Sequence, residues 1–178
     1  MKYTSISYKE FTHGDCVISV FRMRYLVHDH WVEGFLAVPK GAKKLPCMIY
    51  NRGGSFAFGE IDDHLLKVHI TKLASLGYVV IASQYSGNGG SKGKDEVGGE
   101  DIEDVLMLKE CLLEIPEADE SRIGMFGGSR GGMMALLALR KVSWIKAAVI
   151  LGAMTNLDRM LEFRPEMATV FEKAFGNT

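Results

Sequence analysis

Three cysteines in 178 residues, Cys16, Cys47 and Cys111, are an odd number at unrelated spacings, and none forms a Cys-x-x-Cys pair. That scarcity argues against a disulfide framework and a structural zinc site, and it suits a reducing, cytoplasmic setting. A surplus of charge of either sign is also lacking. Lys and Arg total 21 against 22 Asp and Glu, for a net charge of -1, so nothing predicts attraction to nucleic acid or to an anionic membrane. No apolar run approaches the ~20 residues that span a bilayer. The opening residues, Met1 to Ser5, lead into polar sequence rather than an apolar signal core. Internal repeats, low-complexity tracts and linkers are absent too, so a single domain over 1–178 is expected, with neither cofactor nor metal.

What is present is a regular alternation of element signals. Residues 16–27 and 32–38 are rich in β-branched and aromatic types and read as strands. Pro39-Lys40-Gly41 breaks the chain before a short apolar strand at 47–50. Residues 62–76 set Leu66, Ile70 and Leu73 on one helical face, and Gly77 supplies the stop. Residues 78–82 form a continuous apolar strand of the kind covered on both faces. A glycine-rich loop over 86–99 leads into a helix over 101–114, whose early acids Asp101, Glu103 and Asp104 suit the positive end of its dipole. Ile102, Val105, Leu106, Leu112 and Leu113 supply that helix's buried face. A strand at 122–126, a helix at 131–140, a strand at 145–151 and a helical tail over 159–175, interrupted at Pro165, complete the chain. Two strands followed by strict strand–helix alternation predict an α/β fold: a mostly parallel sheet with helices on both faces, in three layers.

Gly127-Gly128-Ser129-Arg130-Gly131 stands between the strand at 122–126 and the helix at 131–140 and matches Gly-x-Ser-x-Gly. A serine on so tight a strand-to-helix turn takes strained backbone angles and lifts its hydroxyl above the sheet edge. The neighbours must be small because strand and helix pass close together there, a need that Gly127, Gly131 and Gly132 meet. The helix N-terminus then aims free N–H groups at charge developing on an attacked carbonyl, with the Arg130 N–H as one donor. The rival reading is a glycine-rich turn that packs or binds phosphate. Against phosphate, no segment satisfies Gly-x-Gly-x-x-Gly, and Gly93-Lys94 is followed by Asp95 where a P-loop needs Ser or Thr.

Four further motifs line up in order: Tyr50-Asn51-Arg52-Gly53-Gly54, Asp104, Asp119-Glu120-Ser121-Arg122-Ile123-Gly124, and the turn continued to Gly132. With these, the chain from about residue 32 onward resembles the prolyl oligopeptidase-like branch of the α/β-hydrolase superfamily, which includes dipeptidyl aminopeptidase and acylaminoacyl peptidase relatives. It departs from the pattern at Arg52, where a histidine is usual, and at Arg130, where an aromatic residue is common. The resemblance implies an α/β-hydrolase fold and a serine hydrolase acting on a small ester or peptide through an acyl-enzyme on Ser129. It implies that Gly53 or Gly54 donates the second oxyanion hydrogen bond, and that Asp104 and Arg122 are structural partners. The Arg130 side chain is expected to point to solvent, with contact to a substrate carboxylate as the alternative.

A working triad in that fold runs Ser, then Asp or Glu, then His. The five histidines, His13, His28, His30, His64 and His69, all precede Ser129. The expectation is therefore a fold truncated after its sixth strand, with the triad acid and base missing from this chain. Asp158 reads better as a helix-start residue than as the acid, and His64 better as a solvated helix residue than as a base. The strand at 145–151, apolar enough for a sheet interior, would lie at the edge and pair with a second copy, giving a homo-oligomer. A catalytically inactive protein that assembles through that edge is the alternative to the enzyme. A nucleotide binder using Gly87 to Gly99 is a third, weaker reading.

Overall fold

A computed structural model describes residues 2–176. Seven strands form one sheet: β1 (Tyr3–His13), β2 (Cys16–Val27), β3 (His30–Pro39), β4 (Leu45–Asn51), β5 (Val79–Ser83), β6 (Ala118–Gly128) and β7 (Ile145–Leu151). Their order across the sheet is β1-β2-β3-β5-β4-β6-β7. The first strand escapes a reading of apolar pattern because it is an edge strand with nearly every side chain exposed. Its Lys9 and Glu10 are the charges that blunt such an edge. With β1 added, β7 is the strand read from sequence as the sixth.

The sheet is mixed rather than mostly parallel. β1, β2, β3 and β5 pair antiparallel in succession, whereas β5, β4, β6 and β7 run parallel. The two hairpins that make the difference turn on two residues each, Gly14-Asp15 and His28-Asp29. Parallel pairing begins only where helices carry the chain back across the sheet.

Helices cover both faces. On one lie α1 (Asp63–Leu65), a π-helical turn (Leu66–Ile70) and α2 (Thr71–Ser75), and on the other α3 (Ile102–Leu112) and α4 (Arg130–Lys141). The tail forms α5 (Leu157–Phe163) and α6 (Met167–Phe175), separated at Pro165 as the sequence predicts. The π turn is not legible in the sequence. Ala74 joins Leu66 and Ile70 in the core, and Leu73 packs against it partly buried. In α3 the buried stripe runs through Leu108 and Cys111, and Leu113 is left exposed.

Alternation along the strands divides the apolar residues between two cores. Val32, Leu36, Ile49, Val79 and Ile81 face α3 and α4, while Phe35, Ala37, Tyr50, Val80 and Ala82 face the first helical segment. All five residues of β5 are buried, as a strand covered on both faces requires.

Beneath the start of α4 the backbones are in contact. A Cβ on Gly131 would meet the Asn51 carbonyl, and one on Gly127 would meet the backbone of Gly131. Gly131→Ala is expected to lose about 1–3 kcal/mol or more, because rigid backbone rather than a yielding side chain must move. Gly41→Ala, where φ is 77° and nothing lies within 4 Å, should lose only about 1 kcal/mol. Urea unfolding of both variants checks the difference, and equal losses would deny the crowding.

Candidate active site

β6 ends at Gly128 and α4 begins at Arg130, so the whole change of direction falls on Ser129. Its φ of 53° and ψ of -122° lie outside the regions open to an ordinary L-residue. The strain is held by three backbone bonds. Ser129 donates its N–H to the Leu151 carbonyl at 2.8 Å, and its own carbonyl accepts from Gly132 and Met133 at 3.0 and 3.2 Å. The side chain does not cap the helix, and the residue is exposed.

β4 delivers the second segment. Its pairing with β6 ends at Asn51 opposite Gly127, and the chain then turns past Ser129. A Cβ built on Gly53 would stand 3.2 Å from the Gly128 carbonyl oxygen and 3.8 Å from the Ser129 Cβ. Gly54, with φ of 75°, packs instead against Phe58. The structure thus brings Gly53, Ser129 and Arg130 together and sets Gly54 one step away. Arg52 is fully buried and braces this turn from inside. Nε donates to the Gln84 carbonyl at 3.0 Å, Nη1 to Gly53 and Phe58 at 3.2 Å each, and Nη2 to Phe56 at 3.1 Å. Burial pulls its guanidinium below the ordinary arginine value.

The Arg130 side chain does not reach solvent, contrary to the sequence expectation; it is 1% exposed. Nη1 donates to Asp95 at 2.8 Å and to the Gly54 carbonyl at 3.3 Å, and Nη2 lies 2.8 Å from Asp95 and 2.6 Å from Asp101. A cation buried beneath the helix start must find anions, and Asp95 in the glycine-rich loop and Asp101 at the start of α3 supply them. Both guanidiniums also lie over the Tyr85 ring, Arg52 at 4.9 Å and Arg130 at 4.6 Å from its centre. Burial pushes the Asp95 carboxyl up, but the hydrogen bond and charge of Arg130 outweigh it and leave it below the ordinary value. At Asp101 burial prevails and the carboxyl is raised. The sequence did not single out Tyr85, and it marked Asp95 only as a departure from a P-loop and Asp101 only as a helix-start acid. The only signal for them was a cation standing where a turn of this kind commonly carries an aromatic ring.

The remaining candidates lie apart from Ser129. Arg122 is an exposed partner of Asp119 at 2.6 Å and of the Lys44 carbonyl at 2.9 Å. His64 is exposed, His69 stacks on Tyr50, His13 meets Thr71, and His30 meets Ser86. Asp158 lies exposed in the first turn of α5, which Asn156 caps. Among the described residues no group of three or more His, Cys, Asp or Glu is placed to hold a metal ion. Asp104 is buried, and its carboxylate accepts from the Ser86 N–H at 2.6 Å and from the Ser86 hydroxyl at 2.9 Å.

A sequence profile described as the prolyl oligopeptidase family matches residues 66–174, more than half of the chain. The Bacillus subtilis (strain 168) protein described as "Uncharacterized peptidase YtmA" is 29% identical over 162 residues, which are 90% of this chain and 62% of YtmA. Among solved structures, acetyl xylan esterase from Paenibacillus sp. R4 superposes with a TM-score of 0.70 at 19% identity, over 98% of this chain and 62% of the esterase. Pyrococcus horikoshii acylaminoacyl peptidase gives 0.67 at 19% identity, over 98% of this chain and 35% of the peptidase. The architecture is that of the α/β-hydrolase fold, and the chain spans less than two thirds of the length of each of these relatives.

Burial pushes the Asp104 carboxyl up from 3.8 to about 7, against the pull of the two Ser86 donors. Between those values the folded chain holds the proton and the unfolded chain has lost it. The stabilising contribution is therefore full below about pH 4 and lost as the pH rises through 7. Asp104→Asn should remove this dependence, gaining on the parent by on the order of 4 kcal/mol between pH 4 and pH 8. Urea unfolding across that range is the measurement, and a stability difference independent of pH would rule out this titration.

Proposed function

The chain belongs to the prolyl oligopeptidase family, and on that premise we propose that it is the nucleophile-bearing part of a serine hydrolase acting on a small ester or peptide. The observation that carries this reading is the exposed Ser129 on a strained bend with Gly53 against it. In the proposed reaction the Ser129 hydroxyl oxygen attacks the substrate carbonyl carbon, and the hydroxyl proton passes to a base. The C=O electron pair moves onto oxygen, where the N–H groups of Arg130 and Gly53 hold the charge. Gly53 is preferred to Gly54 because it is the glycine in contact with the bend. Collapse breaks the bond to the alcohol or amine, which leaves with the proton, and water then frees the acid and regenerates the serine. The reading takes none of the five histidines as the base and assigns base and acid to residues beyond 178.

The peptidase named among the relatives and the esterase named among the neighbours support an ester or amide carbonyl as the reacting group. Cys47 and Cys111 are free and buried, which supports a reducing cytoplasmic location. No helix among the described residues is long and apolar enough to cross a membrane.

A second reading draws on β7. Among the described residues β7 pairs with β6 alone, and Val149 and Leu151 are 47% and 55% exposed. An apolar edge of this kind favours pairing with a second copy. On this reading the protein is an assembling hydrolase fold without turnover.

A fluorophosphonate probe separates the two. Applied to the protein together with the residues that supply base and acid, it is expected to label Ser129, with labelling abolished in Ser129→Ala; no labelling there leaves the assembling, inactive reading in its place. Gel filtration tests the edge: a dimer is expected, shifting toward monomer in Val149→Lys. A parent monomer that binds no hydrophobe-sensitive dye would dismiss assembly through β7.

A further inference from the structure

Beyond Asn51 and Gly127, where the ladder between β4 and β6 stops, nothing in the sheet fixes the turn at 53–59 relative to the start of α4. Side chains must do so, and the carboxylate of Asp95 is the point at which they converge. Its Oδ2 accepts from the Phe56 N–H at 2.7 Å, from Asn88 Nδ2 at 2.8 Å and from Arg130 Nη1 at 2.8 Å. Its Oδ1 accepts from the Val97 N–H at 3.1 Å and lies 2.8 Å from Arg130 Nη2. One buried carboxylate thus ties together the turn after β4, the glycine-rich loop and the first residue of α4.

Two of those donors belong to strained residues. Phe56 and Val97 have φ of 56° and 50°, a region that costs a bulky side chain about 1–3 kcal/mol and persists only where the surroundings enforce it. Arg52 holds the carbonyl groups of the turn, and Asp95 holds its Phe56 N–H. Arg130 in turn reaches the Gly54 carbonyl from the other side, at 3.3 Å. A shift of the carboxylate would move both walls of the gap between Gly53 and Arg130.

We propose that Asp95 is a positioning residue for the oxyanion site: through the Arg130 guanidinium and the Phe56 amide it sets the separation of the Gly53 and Arg130 N–H groups that the proposed reading assigns to the oxyanion. It rests on the reading of Ser129 as a nucleophile. Asp95 touches no substrate, and its effect is exerted through the backbone segments it joins. Asparagine at this position is nearly isosteric but turns an NH2 toward donors that need an acceptor.

The test compares the parent protein, carrying the residues that supply base and acid, with its Asp95→Asn variant in two measurements. With a fluorophosphonate probe at increasing concentration, the maximal rate of Ser129 labelling should fall about 10- to 100-fold while the half-saturating concentration changes less than about twofold. A role in fold stability alone would lower the fraction of labelled protein without changing the rate of the folded fraction. Amide exchange supplies the second arm. The Phe56 amide of the parent should exchange as slowly as the β4 amides, and about tenfold faster or more in Asp95→Asn. If the variant does not fold, the parent measurement decides, since a Phe56 amide exchanging like a free loop amide overturns the proposal. A labelled parent with an unchanged rate in a folded Asp95→Asn overturns the positioning role and leaves the nucleophile reading standing. An unlabelled parent defeats the nucleophile reading and this proposal with it.

Discussion

Changing from strand to helix within one residue is the constraint on which the rest of this structure depends. Ser129 accomplishes the change by adopting a φ of 53° and a ψ of -122°. That backbone is tolerable only because it is held from both directions, by the Leu151 carbonyl on β7 and by the amides of Gly132 and Met133 in α4. The close passage that follows leaves no room for side chains at Gly127 and Gly131. The same geometry leaves Ser129 exposed at the start of α4. Strain, glycine content and an exposed serine are thus one feature described three ways.

The turn after β4 meets that bend without being held to it by a ladder of backbone bonds. Two buried arginines and two buried aspartates take that part, around the ring of Tyr85. Ion pairs buried in this way contribute little net stability, because desolvation offsets most of the attraction. Their effect here is geometric. A guanidinium spanning two carboxylates permits few arrangements of the segments that bear them, whereas an apolar contact permits many. Arg52 and Arg130 belong together in this light: both guanidiniums lie over the Tyr85 ring and donate to carbonyl groups of the turn after β4.

At the far side of the sheet from β1, the two edges differ in chemistry. β1 carries Lys9 and Glu10 and is largely polar, as an edge meant to stay single should be. β7 reads Ile-Lys-Ala-Ala-Val-Ile-Leu, with one charge, and exposes Val149 and Leu151. It is built as an interior strand, and its exposed face continues the apolar surface that begins beside Phe126 and Tyr50.

The sequence by itself determined the order of elements, the placement of the bend at Ser129 and the small residues around it, because these depend on local backbone preference and on apolar period. Six of the seven strands and both halves of the tail were legible on that basis. The edge strand β1 was not, since a strand exposed on most of its side chains carries no apolar alternation to read. The π turn at Leu66–Ile70 was also hidden, being a one-residue adjustment to packing against the sheet. Only the tertiary structure decided that Gly53 rather than Gly54 touches the bend, and that the Arg130 side chain turns inward. Asp95 lies 35 residues from Arg130 along the chain. No local pattern links a carboxylate in a glycine-rich loop to a guanidinium at a helix start; folding brings them together, and burial then obliges them to pair.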